Sequence, residues 1–406
     1  MIRLFTIWSL LFISACASFE KKPDPNAEYL ATVSDIKTHI QWAAEFKEYG
    51  IDSLAKLFPT VVGDNFYRAD EKGLVGRYEL VNGRKVWEKN WGVSFSAGPK
   101  VIDDLVLLGT RDADLFALDA ATGDLKWRKT VDSEVLAPPG LSHDMVVVQT
   151  IDGKVLGLTA DRGDLVWTFN RNVPVLSLRG TSAPLIVEDK VIVGLSNGKV
   201  VALSVLDGKM QWESTVATAR GRSELERMVD IDADLHYKDG TLYLVSFQGR
   251  IAALTIESGR ILWTREMSSF LGLVVSDQNI FLSDAEGKIW ALNRDTGATL
   301  WVQEKLFGRV TTTPAFTGEY VLVGDSRGDV YWLTSSDGRI VKRFRYQDLI
   351  TRTGIYNFAD QGEIKSAQEE LMDIEDFGVV GSPIVTEHNL LVNYRSGVVA
   401  AFSLVE

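Results

Sequence analysis

The stretch FALDAATGDLKW, residues 116–127, returns in altered form as ALNRDTGATLW at 291–301. Each copy carries an apolar alternation into a Thr-Gly turn and leaves the turn toward a tryptophan. Period-two alternation on both sides of a glycine turn is the pattern of a β-hairpin with one buried face. Aligned along the chain, the string gives Gly83 with Trp87, Gly123 with Trp127, Gly163 with Trp167, Gly208 with Trp212, Gly259 with Trp263 and Gly297 with Trp301. Successive tryptophans are 40, 40, 45, 51 and 38 residues apart, near the period of a four-stranded propeller blade. A seventh copy, GDVYWLTSSDGRIVK at 328–342, keeps Gly338 but has Lys342 where the tryptophan belongs.

A second turn precedes each string: DG at 152, NG at 197, QG at 248, EG at 286, RG at 327 and SG at 396. Before it lie two more apolar runs, the first often opened by a small residue and proline, as in SAPLIV, TTPAF and GSPIV. Three or four short strands per unit are what a propeller blade requires. The last unit, VVGSPIVTEHNLLVNYRSGVVAAFSLVE, stops before an outer strand, while IQWAAEF at 40–46 sets Trp42 ahead of any complete blade. A ring removes its open edges if the N-terminal strand pairs with the C-terminal unit. The expected fold is therefore all-β: an eight-bladed propeller of four-stranded antiparallel blades, tryptophan-docked and closed by its N-terminal strand. Helix is expected only over about 28–40 and in an insertion at 343–379, between blades seven and eight. Each docked indole buries on the order of 150–250 Å², or roughly 4–6 kcal/mol as an upper bound. That burial makes these tryptophans core residues rather than ligand platforms.

The 406 residues, 46% apolar, suffice for one large all-β domain. A formal charge of −12 argues against nucleic-acid binding, which needs a Lys/Arg surplus. Arg3 followed by LFTIWSLLFISA reads as a signal peptide over 1–15, too short to remain as a membrane span. The single cysteine, Cys16, follows at once. Ala15-Cys16-Ala17 fits ordinary cleavage, with the mature chain starting at Ser18. Ile13-Ser14-Ala15-Cys16 instead resembles a bacterial lipobox, which implies cleavage before Cys16 and its acylation, the palmitate-bearing anchor of a lipoprotein. Ala17, rather than Asp, after the cysteine implies the outer membrane by the same resemblance. Residues 16–30 then form the lipidated start and a polar tether, and 31–406 the propeller.

Catalytic motifs do not survive their context. GLSNG at 194–198 and GDSRG at 324–328 match G-x-S-x-G, but the nucleophile elbow needs a helix leaving the turn and here strands flank both. In DIDAD, Asp230, Asp232 and Asp234 lack the glycine and distal acid of an EF-hand loop. On a strand they would share one face, either a solvated acidic edge or acceptors for a cation or a partner's Lys or Arg. His39, His143, His236 and His388 have no metal-ligand spacing. No catalytic residue, metal or cofactor is expected.

The repeat string resembles the blades of the quinoprotein family, named for pyrroloquinoline quinone. Quinoprotein dehydrogenases use an adjacent cysteine pair and calcium-ligating acids; this chain has no second cysteine. Lipobox, blade count and closing strand together resemble the BamB family, lipoprotein subunits of the machine that inserts β-barrels into the bacterial outer membrane. VPVLSLRG at 173–180 is similar to the segment of that family that binds the periplasmic domains of the central barrel subunit, BamA, which implies partner contacts by Leu176, Leu178 and Arg179. RMVDIDAD at 227–234 is similar to a second such segment, which implies the same for Asp230 and Asp232. The resemblance further implies association with the other assembly subunits and with unfolded outer-membrane proteins, at the periplasmic face of the outer membrane.

The residues point the same way without the family. Both segments follow an outer strand and precede the next inner strand, so they emerge on one face of the ring and should be neighbours. Leucines beside an arginine in a loop are the composition of an interface anchor; alternatively they cover the blade bottom. Two other functions stay open. A quinone-dependent dehydrogenase would show a new absorbance band on adding the quinone and calcium. A propeller binding peptides or glycans in its central funnel would take ligand without involving 173–180.

Overall fold

A computed structural model describes residues 38–46, 55–142, 144–171, 181–219, 222–223, 226–269, 271–353 and 377–403. These residues form eight sheets, seven of four antiparallel strands and one of five, the fifth strand of which pairs in parallel. Blade two, the sheet that carries the fifth strand, runs Phe95–Ile102, Leu105–Thr110, Asp114–Asp119 and Leu125–Thr130 in sequence order from axis to rim, as the four strands of blades one and three to seven do. Its second strand is buried at every position while its outermost strand is buried only at Trp127. Middle strands are covered by neighbouring blades on both faces and so read as continuous apolar runs; rim strands have only one neighbour to face.

The expected closure is present. His39–Glu45 pairs antiparallel with Val398–Ser403, from His39 opposite Ser403 to Glu45 opposite Val398, completing blade eight. Trp42 stacks on Phe66 of blade one at 5.6 Å between ring centroids. The helix expected over 28–40 is not found where it can be followed: His39 and Ile40 are already strand, and 28–37 lie outside the described residues. The closing pair satisfies backbone groups that a helix would have left unpaired on blade eight. In the insertion, Tyr346–Thr353 is helical and buries Tyr346 and Leu349; residues 354–376 lie outside the description.

The tryptophans work as a relay between blades. Each indole N–H donates to a carbonyl of the following blade: Trp42 to Leu80 (2.8 Å), Trp127 to Ala160 (2.7 Å), Trp212 to Ile256 (2.9 Å) and Trp301 to Ser335 (2.9 Å). Each ring lies against the turn glycine of that next blade, not of its own. A Cβ at Gly83 would stand 2.8 Å from Trp42 Cε3, and one at Gly123 would stand 2.6 Å from Trp87 Cε3. A register shift in every rim pairing, between Leu125 and Trp127 in blade two, inserts one residue. Such a bulge re-aims the side chain after it, so Leu125 and Lys126 both face out and Trp127 faces the neighbour.

Lys342 marks where this relay ends. Blade eight is closed by the two chain ends rather than by a hairpin, so it has no glycine turn ahead of its rim strand to receive an indole from blade seven. Lys342 lies under the Trp332 ring, 5.7 Å from its centroid. Burial, with Arg352 nearby, pushes its ammonium down to about 8. Trp332, Phe344, Tyr346 and Leu349 fill the boundary between blades seven and eight instead.

Candidate functional site

Strand alternation sorts the loops onto two faces. The glycine turns ahead of the rim strands lie on one; the connectors from rim strand to next axial strand lie on the other, beside the second set of turns. The connector entering blade five is strapped to those turns. Ile231 N–H donates to Leu195 O (3.3 Å) and Phe247 N–H to Asp230 O (2.9 Å). Met228, Val229, Ile231, Ala233 and Leu235 are buried.

Asp230, Asp232 and Asp234 are on this loop, not on a strand; the strand begins at His236. Packing of the apolar residues between them removes the extended pairing that equal presentation would need. Their exposure is therefore graded: Asp230 is 1% exposed, Asp232 is half-buried and the Asp234 side chain is 57% exposed. Asp232 Oδ2 has no hydrogen-bond partner among the described residues. Burial, reinforced by the Asp230 charge and opposed by Lys56, pushes the Asp232 carboxyl up to about 7. Burial also acts upward on Asp234, but Lys56, the Ala183 amide and His236 outweigh it and hold that carboxyl below its usual range. Burial lowers the imidazole of His236, and Asp234 only partly offsets this.

Leu176, Leu178 and Arg179 lie outside the described residues, as does Cys16. The residues that follow the first segment are described and meet the second one. Ala183 N–H donates to Asp234 Oδ1 at 3.3 Å. Lys56 Nζ donates to Thr181 O at 2.9 Å and to Asp232 O at 2.8 Å. One ammonium thus touches the backbone of both connectors.

Sequence reasoning did not single out Lys56. Residues 55–58 belong to the connector from the rim strand of blade eight, His39–Glu45, to the axial strand of blade one, Thr60–Val62. Lys56–Leu57 adds in parallel to the axial strand of blade two, Lys56 opposite Ala97 and Leu57 opposite Gly98. A Cβ at Gly381, on the way into blade eight, would stand 2.7 Å from Phe58 Cδ1. A short segment touching blades two and eight and the connectors into blades four and five lies at the ring axis. The available signal was the lone charge in the apolar run LAKLF, too weak without a partner in view.

The serines of the two G-x-S-x-G strings sit between antiparallel strands, Ser196 between Lys190–Gly194 and Lys199–Ser204, and Ser326 between Tyr320–Gly324 and Val330–Thr334. Beside Ser326, Arg309 Nη1 donates to Asp325 Oδ2 (2.5 Å) and Tyr331 OH (2.7 Å), while Arg343 Nη2 donates to Asp329 Oδ2 (2.6 Å). The two acids and two arginines balance in charge and fix the turn of blade seven. That is a structural task for a buried network.

Residues 71–303 match the family model described as outer membrane protein assembly factor BamB. The chain is 42% identical over 361 residues to outer membrane protein assembly factor BamB of Pseudomonas aeruginosa, covering 87% of this chain and 95% of that one. The chain belongs to the BamB family. Among solved structures, BamB from Moraxella catarrhalis superposes with a TM-score of 0.76 at 27% identity, covering 91% of this chain and all of that one. Quinohemoprotein alcohol dehydrogenase from Comamonas testosteroni superposes with a TM-score of 0.67 at 12% identity, covering 92% of this chain and 77% of that one. The second likeness extends to the fold alone.

Proposed function

We propose that this chain is a non-enzymatic scaffold of the outer-membrane β-barrel assembly machinery. It is anchored through acylated Cys16 to the periplasmic face of the outer membrane and docks onto the periplasmic domains of BamA. In this reading residues 1–15 are the signal peptide and 16–30 the tether. Leu176 and Leu178 enter an apolar pocket of the partner, and Arg179 and Asp232 supply complementary charge and register. Asp230, buried in the free protein, shapes the loop and raises the proton affinity of Asp232 rather than touching the partner itself. A partner cation would ionise Asp232 on arrival and form a charge-assisted bond. Assistance in delivering unfolded outer-membrane proteins, beside other assembly subunits, belongs to the same role.

Membership of the BamB family carries this reading. Its local support is the meeting of Thr181 and Asp232 at Lys56, since the connector holding 172–180 ends where the acidic loop begins. Against a quinone enzyme stands the cysteine count: a single cysteine in the whole sequence, where the quinoprotein dehydrogenases use an adjacent pair. The expected outcome for Leu178→Glu or Arg179→Ala is loss of BamA co-purification from membranes while circular dichroism and Tm keep their wild-type values. Normal co-purification of both variants would show that this surface is not the docking site.

A further inference from the structure

The docking reading requires two segments about fifty residues apart to hold a fixed spacing, and their own strands do not provide it. Among the described residues, 181–184 and 226–235 belong to no strand, so cross-loop contacts contribute to their spacing. Two described contacts reach both: the bond from Ala183 N–H to Asp234 Oδ1, and the Lys56 ammonium, which holds main chain on each side. Its three hydrogens face three acceptors: Thr181 O at 2.9 Å, Asp232 O at 2.8 Å and Asp234 Oδ1 at 3.4 Å. Bonds from a cation to backbone carbonyls are stronger than neutral ones, and here they hold main chain rather than mobile side chain. The lysine side chain is 23% exposed, deep enough to be held and open enough to be satisfied without a buried charge. None of the inter-blade tryptophan contacts involves it, and its tie to blade two runs through the backbone of Lys56–Leu57, which a change of side chain leaves in place.

We propose that Lys56 is the positioning residue of the docking face. From the axis of the ring it clamps the backbone at Thr181 to the backbone at Asp232, setting the distance between the end of one docking segment and the acidic centre of the other. The clamp rests on the docking reading above. It makes the connector that follows the closing strand a determinant of partner affinity without contact with the partner.

The test uses the full mature chain titrated with purified periplasmic domains of BamA. Lys56→Met is expected to weaken binding about tenfold, with Tm lowered by only about 2–4 °C. Amide exchange should quicken only at 181–183 and 228–234, which a loss of global stability would not produce. Lys56→Arg, which retains charge and donors, is expected to recover affinity to within about threefold of wild type. Asp234→Asn is expected to weaken binding about threefold. The double variant Lys56→Met/Asp234→Asn should bind no more weakly than Lys56→Met alone, because both changes open one clamp. Wild-type affinity of Lys56→Met, where Leu178→Glu abolishes binding, overturns the clamp and leaves the docking reading intact. Fully additive effects of the two changes overturn it as well. Wild-type binding by Leu178→Glu removes the docking reading, and the clamp with it. If Lys56→Met does not fold, unaltered affinity in Asp234→Asn overturns the proposal.

Discussion

At the residue scale, one glycine and one tryptophan four positions apart serve two different interfaces. Gly123 receives Trp87 from the blade before, while Trp127 reaches the blade after. The glycine is required twice over, by a φ of +71° and by the ring that would stand 2.6 Å from any Cβ. Gly63 separates the two demands: its φ is +55° and nothing lies within 4 Å of a built Cβ. Gly63→Ala is therefore expected to cost about 1 kcal/mol from backbone strain alone. Gly123→Ala is expected to cost about 2–5 kcal/mol, because overpacking adds to strain. Urea titration of both variants checks this, and equal losses would rule out indole contact as the reason for the conserved spacing within this chain. A second residue-scale expectation concerns Asp232. Its folded carboxyl titrates near 7, above the ordinary 3.8. A raised acid favours folding when protonated, so its contribution is full below about pH 4 and fades as pH rises through 7. Asp232→Asn, which keeps the neutral shape, should match wild type in Tm near pH 4 and exceed it by about 2 °C at pH 8. A difference that does not grow with pH would mean that this carboxyl is not strained in the folded ring.

At the element scale, the departures from the repeat have a common cause in the way the ring is closed. Blade eight draws its rim strand from the other end of the chain, so no hairpin turn stands opposite position 342. A tryptophan there would have neither a turn glycine to lie on nor the carbonyl that follows it. The helix Tyr346–Thr353 covers the boundary instead, with Tyr346 against Tyr394 at 4.8 Å and Phe344 against Phe402 at 4.8 Å between centroids. Restoring the repeat at this one place should therefore do harm. Lys342→Trp is expected to lower stability by about 1–3 kcal/mol through overpacking beneath Trp332, as read by urea denaturation. A gain in stability would mean that a receiving surface exists after all and that the lysine is a mere lapse in the pattern.

At the scale of the whole molecule, much of the architecture is local in origin and was readable for that reason. Alternation, turn glycines and a tryptophan at a fixed offset are properties of neighbouring residues, and repetition made each signal count several times over. Blade number, strand order and closure by Trp42 followed from the same pattern plus the need to cover an open edge. The acidic loop was readable as a candidate and misread in shape, because DIDAD alternates as a strand does while its hydrogen bonds go to Leu195 and Phe247. Which of its carboxylates meets solvent depended on partners far away in sequence. Lys56 could not have been found at all from order alone: its acceptors lie 125 and 176 residues on, and nothing in LAKLF says that the segment will cross the axis. The amino-acid sequence by itself determined the ring, since seven of the eight blades are specified by contacts within about forty residues and the eighth is completed by pairing of the two ends. The tertiary structure alone decided how the connectors meet at the centre, since ring closure brings together loops that share no ladder, no period and no neighbourhood in the chain.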